Sequence, residues 1–259
     1  MERLNQRYKE VIDMGYELVG IFLQGSQNYE LDYEDSDIDC KAIILPKFND
    51  FVLNSKPIST THVLENNEHI DLKDIRLMFD CFKKQNINFV EILFTKYMVL
   101  NPKYQKLFQP LIDNNEMIAR YNNYASVNCM AGMAMEKYKA LEHPYPATID
   151  KIEKFGYDPK QLHHLLRIKE FLERYISGEA YKYCLISEDT SYLIDVKKGL
   201  HEHNKAKELA IKTMSSINET KVMYMHNNEV NINRDVEVLL NKVLIDCMKY
   251  NFKSELGVE

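Results

Sequence analysis

Strand-like segments are confined to the first hundred residues, and everything beyond them carries helical spacing alone. Residues 16–23 form an apolar run that leads into Gln24-Gly25-Ser26, and residues 37–45 form a second run stopped by Pro46. Both read as strands, since proline removes the next ladder donor. Residues 60–64 and 69–73 read as two more strands around the turn-prone Asn66-Asn67. Residues 4–14 space Leu4, Tyr8, Val11 and Ile12 as one helix face, with Gly15 at its stop, and Asp74 is placed to cap a helix over 75–84. Past Asn101-Pro102 the spacing predicts helices over 118–141, 159–176, 189–198, 204–217 and 234–250. The expected class is α+β: a mixed sheet with flanking helices over residues 1–112, then an all-helical domain over 113–259.

Composition narrows the function classes. Acidic residues outnumber basic ones 39 to 33, for a net charge of −6, which argues against a whole-surface polyanion binder and leaves room for a local basic patch. The five cysteines are odd in number and scattered, with no CxxC pair, which fits reduced thiols and neither a disulfide framework nor a zinc ribbon. The longest apolar runs, such as residues 42–45, are too short to span a bilayer, and the first residues lack a secretory apolar core; a cytoplasmic protein without a membrane partner is expected.

The chemistry concentrates between Gly25 and Asp39. A strand ends in Gly25-Ser26, where glycine permits a sharp turn and close backbone approach, so that backbone N–H groups and the Ser26 hydroxyl can face phosphate oxygens. After a ten-residue gap, Asp37 and Asp39 flank Ile38 at the start of the next strand. Residues two apart on a strand share a face, so both carboxylates point one way and Ile38 and Cys40 point into the core. Paired carboxylates suit Mg²⁺, which keeps waters and takes phosphate oxygens as further ligands. A third carboxylate would complete a two-metal site. Asp71 faces outward with His69 and Lys73 while Ile70 and Leu72 face inward; Asp74 is the alternative, although its position suits a helix cap.

Gly-Ser, a short gap and Asp-x-Asp resemble the hallmark of the DNA polymerase β-like nucleotidyltransferase superfamily. Further segments resemble one bacterial and phage branch, a predicted-nucleotidyltransferase family with RNA-ligase-associated members. These are Ser36-Asp37-Ile38-Asp39-Cys40-Lys41, Asp74-Ile75-Arg76, Asn88-Phe89-Val90-Glu91-Ile92-Leu93-Phe94, Gly156-Tyr157-Asp158-Pro159-Lys160 with His164 and Arg167, Tyr192-Leu193-Ile194 and Lys198-Gly199. The resemblance spans about residues 16 to 200. It implies a polymerase-β-like N-terminal domain, a helical C-terminal domain, a nucleoside triphosphate such as ATP, and two Mg²⁺ ions, for which Mn²⁺ can substitute. Many members have glycine where this chain has Glu30.

The helix over 159–176 carries Lys160, His164 and Arg167 at i, i+4 and i+7, with Phe171 and Arg174 continuing the stripe opposite a leucine-rich side. The expectation is that this exposed stripe closes a cleft, Lys160 and Arg167 meeting phosphate and His164 phosphate or base. Lys41 shares the side of Asp37 and Asp39 and is placed to offset their charge without metal. His201-Glu202-His203 reads as surface polarity and Met130, Met133 and Met135 as helix packing.

The resulting expectation is a transferase that moves a nucleoside monophosphate onto an acceptor hydroxyl with release of pyrophosphate. An RNA end is slightly preferred as acceptor over a protein or a small molecule. The alternative is a non-catalytic nucleotide-binding regulator or an antitoxin-like partner-binding module. A metal-dependent phosphohydrolase fits less well, because His69 is the one histidine with a plausible strand position near the carboxylates.

Overall fold

A computed structural model describes residues 1–32, 37–64, 66, 68–146 and 148–258. The elements run α1 (Glu2–Asp13), β1 (Glu17–Gln24), a 3₁₀ turn (Ser26–Tyr29), β2 (Asp39–Leu45), α2 (Phe48–Val52), β3 (Ser59–Val63), β4 (His69–Asp74), α3 (Ile75–Lys83) and α4 (Ile87–Val90). A second 3₁₀ turn (Glu91–Leu93) leads to β5 (Met98–Leu100), α5 (Gln105–Asp113) and α6 (Asn115–Ala119). Helices follow: α7 (Asn123–Ala140), α8 (Ile149–Phe155), α9 (Pro159–Ile176), α10 (Tyr181–Cys184), α11 (Thr190–Lys197), α12 (His203–Asn227) and α13 (Arg234–Leu256). The α+β class expected from the strand distribution is the class observed. No helix among the described residues is long and apolar enough to cross a membrane.

Two compact units make up the chain. The first holds the sheet, ordered β3-β4-β2-β1-β5. The β2–β4 pair is parallel and every other pair antiparallel, so the sheet is mixed. One face carries Leu18, Ile21, Cys40, Ala42, Ile44, Ile70 and Leu72, packed with Leu4 and Val11 of α1. Full burial of each Leu, Ile or Val among them contributes about 1.5–3 kcal/mol. The opposite face carries Phe22 and Lys41 at paired positions, and the Phe22 ring meets Phe108 of α5 at 5.7 Å. The sheet's core is therefore two-sided, and polar side chains appear where β2 and β4 begin.

The units do not follow a division at residue 112. The first includes everything to Asn122 apart from a short loop segment, and takes back residues from Ile232 to the C-terminus. Helix α13 packs on α5 and α3. Asn251 donates to the Pro46 carbonyl at 2.9 Å and accepts from the Tyr104 hydroxyl at 3.3 Å. The Phe252 ring sits against Phe48 and Phe51, and Glu255 accepts from the Phe48 amide. These partners lie some 150 to 200 positions away in sequence, beyond the reach of any local pattern.

The second unit spans Asn123–Asn231 together with the loop residues from Tyr29 to Asp32. Helices α7, α9 and α12 pack on one another, with α10 and α11 against α9. Their shared core includes Val127, Met130, Ala134, Leu162, Leu165, Leu172, Ala206, Ala210 and Ile217. The α8–α9 corner is built by three consecutive residues. Gly156 ends α8 at φ 78°, where a Cβ would also strike the His203 ring. The buried Tyr157 donates its hydroxyl to the His201 carbonyl at 2.8 Å, and Asp158 caps α9 through the Lys160 amide.

Candidate active site

Register brings the Gly-Ser turn beside the first carboxylates. Gln24, the last residue of β1, pairs with Asp39, the first of β2, so the turn beginning at Gly25 stands at the same end of the sheet. Gly25 has φ 101°, which a residue with a Cβ rarely adopts. Asn28 fixes the turn: its amide donates to the Gly25 carbonyl, its side chain donates to the Leu23 carbonyl at 2.8 Å, and its Oδ1 accepts from Thr95 at 2.7 Å. Gln27 Nε2 donates to the Asp37 carbonyl at 2.8 Å, tying the turn to the approaching strand. Ser26 is partly exposed and Asp37 exposed.

Asp39 and Asp71 share a sheet face because Lys41 pairs with Asp71 across the parallel ladder. Each carboxylate already has a partner. Asp39 Oδ1 accepts from the His69 backbone amide at 2.9 Å and lies 3.1 Å from His69 Nδ1, with its side chain 30% exposed. Asp71 Oδ2 accepts from Lys41 Nζ at 2.8 Å. The Lys41 ammonium is nearly enclosed and sits 4.1 Å from the Phe89 ring centroid, with Lys73 at 4.4 Å from the same ring. Burial pushes the Lys41 pKa down and the Asp71 charge opposes that shift. The expected arrangement is corrected here: Lys41 neutralises Asp71 rather than Asp37 and Asp39.

Asp74 is a helix cap. It accepts from the Arg76 amide at 2.9 Å and is gripped by the Arg76 guanidinium at 2.9 and 2.7 Å. Strand alternation turns it from the face that carries Asp71. Between the two candidates for third carboxylate, Asp71 is the one beside Asp39. Among the described residues no three His, Cys, Asp or Glu side chains form a group that could hold a metal ion, so Asp37, Asp39 and Asp71 do not make a ready three-ligand set. The donor chemistry of Asp37 and Asp39 still fits Mg²⁺, which is commonly held by one or two carboxylates with substrate phosphates and waters completing the shell.

Glu68 has no counterpart in the sequence reading. It lies in a turn beside two asparagines, where an acidic residue carries no pattern. In the fold it is 2% exposed, paired with Arg7 at 2.7 Å and with Arg3, and it accepts from the Ile38 amide at 3.1 Å.

Lys160, His164 and Arg167 belong to the second unit. Lys160 is exposed and His164 partly buried. Burial, with His163, Arg167 and Lys160 nearby, holds the His164 imidazole well below the usual histidine range. Arg167 departs from the expected exposed stripe: it is 8% exposed, its guanidinium 3.9 Å from the Tyr29 ring centroid. Phe171 is buried as well, and Arg174 is held by Glu179 at 2.7 and 2.6 Å and by Glu170 at 3.2 Å. The stripe is thus largely internal to its unit. His201 and His203 are structural too, facing Tyr192 and Glu142 respectively.

No protein-family model matches the chain, and no curated protein matches it. Among solved structures, a nucleotidyltransferase-like protein from Exiguobacterium sibiricum is similar at 10% identity and a TM-score of 0.32, over 96% of this chain and 80% of that one.

Proposed function

We propose that the first unit is a Mg²⁺-dependent nucleotidyltransferase, moving a nucleoside monophosphate from a triphosphate to an acceptor hydroxyl with release of pyrophosphate. One observation carries the reading: the pairing of Gln24 with Asp39 stands the Gly25-Ser26 turn beside Asp39, and Gln27 ties that turn to the Asp37 backbone. The turn offers backbone N–H groups and a hydroxyl to phosphate oxygens, and the two carboxylates offer hard oxygen donors. Mg²⁺ held there with the triphosphate would neutralise phosphate charge and lower the pKa of the attacking hydroxyl. Asp37 and Asp39 serve the triphosphate side. Asp71 serves the acceptor side once Lys41 lets it go, and the freed ammonium is then available to phosphate. The acceptor is a hydroxyl on an RNA end, a protein or a small molecule. The net charge of −6 favours a short or compact acceptor over a long polyanion.

A second reading, a non-catalytic nucleotide-binding regulator, is favoured by the Lys41–Asp71 pair, which occupies the third carboxylate. The test is incubation with each α-labelled nucleoside triphosphate, Mg²⁺ and a cell extract, followed by fractionation into RNA, protein and small molecules. Transfer of label into one fraction is expected, and Asp39→Asn should lower it by at least about a hundredfold. Equal labelling by the Asp39→Asn protein overturns the catalytic reading. Triphosphate-induced thermal stabilisation without any labelled product supports the regulator instead.

A further inference from the structure

The backbone amide of Ile38 lies between the two carboxylates assigned to Mg²⁺ and precedes the first strand pairing of β2. Its partner is the buried Glu68 carboxylate, at 3.1 Å. The next residue, His69, gives its own amide to Asp39 Oδ1 at 2.9 Å. Glu68 and His69, where the chain enters β4, therefore grip Ile38 and Asp39, where it enters β2. Glu68 is in turn held by α1: Arg7 Nη2 donates to its Oε2 at 2.7 Å, Arg3 pairs with its Oε1, and Arg7 is itself fixed by both Glu10 oxygens at 2.8 Å. Burying an ionised carboxylate with the Arg7 guanidinium is costly, and an apolar side chain could close the same gap between helix and hairpin. What an apolar residue cannot do is accept the Ile38 N–H.

We propose that Glu68 is a positioning residue: through the Ile38 amide, with Arg7 as its anchor, it holds Asp37 and Asp39 in the geometry that takes a divalent cation. This rests on the reading of Asp37 and Asp39 as cation ligands. Outer partners of this kind typically change metal affinity by about 10–100-fold when removed. Glu68→Ala deletes the acceptor. Glu68→Gln keeps an oxygen for the Ile38 N–H and removes the charge, so it separates positioning from a purely structural tie to α1.

The experiment is titration of the full chain with Mn²⁺ alone, reading free ion by electron paramagnetic resonance, with Asp39→Asn as control. Asp39→Asn should lose binding, Glu68→Ala should weaken it by about tenfold, and Glu68→Gln should stay within about threefold of the unaltered protein, even where both Glu68 variants melt earlier. If Glu68→Ala binds Mn²⁺ normally while Asp39→Asn does not, Glu68 is structural and the proposal fails alone. If Asp39→Asn also binds normally, the ligand reading fails and takes the proposal with it. Should Glu68→Ala not fold, amide hydrogen exchange in the unaltered protein decides: Ile38 is expected to exchange at least about a hundredfold slower than an unstructured amide, and exchange at the unstructured rate overturns the grip.

Discussion

Glu30 adopts φ 57° immediately after Tyr29, in the left-handed region that costs a residue with a Cβ about 1–2 kcal/mol. Glu30 is exposed, so little packing opposes its replacement. Glu30→Gly should raise the melting temperature slightly, by the relieved strain less glycine's greater entropy in the unfolded chain, and Glu30→Val should lower it. A calorimetric scan of the three proteins checks this, and equal melting would mean the turn relaxes elsewhere. Arg167 makes the opposite point about exposure. An arginine on the surface contributes little to folding, but this one is buried against the Tyr29 ring, and desolvated cation–π pairs reach about 2 kcal/mol or more. Arg167→Ala should therefore melt the second unit early, and Arg167→Lys should not restore it, because the flat guanidinium is what stacks.

At the scale of elements, α13 is the piece whose placement matters most. Its inner face buries Val236, Leu240, Val243, Cys247 and Asn251 within the first unit. Burial pushes the Cys247 thiol up to about 12, as expected of an inert packed cysteine. A fragment of residues 1–112 would leave the matching faces of α3 and α5 in water. It should show no cooperative melting and should bind an apolar dye, whereas adding a peptide of residues 232–259 to a fragment of residues 1–122 should restore a transition. A sharp transition in the 1–112 fragment alone would show that the sheet needs no C-terminal helix. The pairing of β2 with β4 is the other decisive element contact, since it alone sets Asp71 beside Asp39 and Lys41.

For the whole molecule, acid sensitivity follows from the buried histidines of α9. His163 Nδ1 lies 2.8 Å from the Leu193 carbonyl, which can only accept, so the proton sits on Nδ1. Burial pulls the His163 pKa down to about 4, with the Leu193 hydrogen bond opposing and Arg167 adding to the fall. A histidine depressed in this way takes its proton first in the unfolded chain. Its contribution is fully present above about pH 6.5 and is lost as the pH falls towards about 4, by an amount on the order of 3 kcal/mol. His164 acts in the same direction. Stability measured by urea unfolding should drop across that window. His163→Asn, which keeps a donor for Leu193, should flatten the slope; an unchanged slope would assign the acid sensitivity to other groups.

The sequence by itself determined the α+β class, the strands either side of the Gly25-Ser26 turn, the inward turn of Cys40, Ile70 and Leu72, and the outward turn of Asp71. All of these follow from local periodicity, from glycine at a sharp turn and from alternation along a strand. The Asp74 cap was legible for the same reason, because a cap is made within its own few residues. What each charged side chain touches was decided only by the tertiary structure. Lys41 meets Asp71 because parallel pairing sets them side by side, and Glu68 reaches Ile38 because the β3–β4 hairpin ends beside the start of β2. Arg167 lies on the polar side of an idealised helix, yet a loop residue from far upstream in the chain covers it. Helix α13 read as part of a helical C-terminal domain and packs instead on α3 and α5, in the unit that holds the sheet. Periodicity tells which face of an element is apolar; it is blind to which distant element arrives to cover that face.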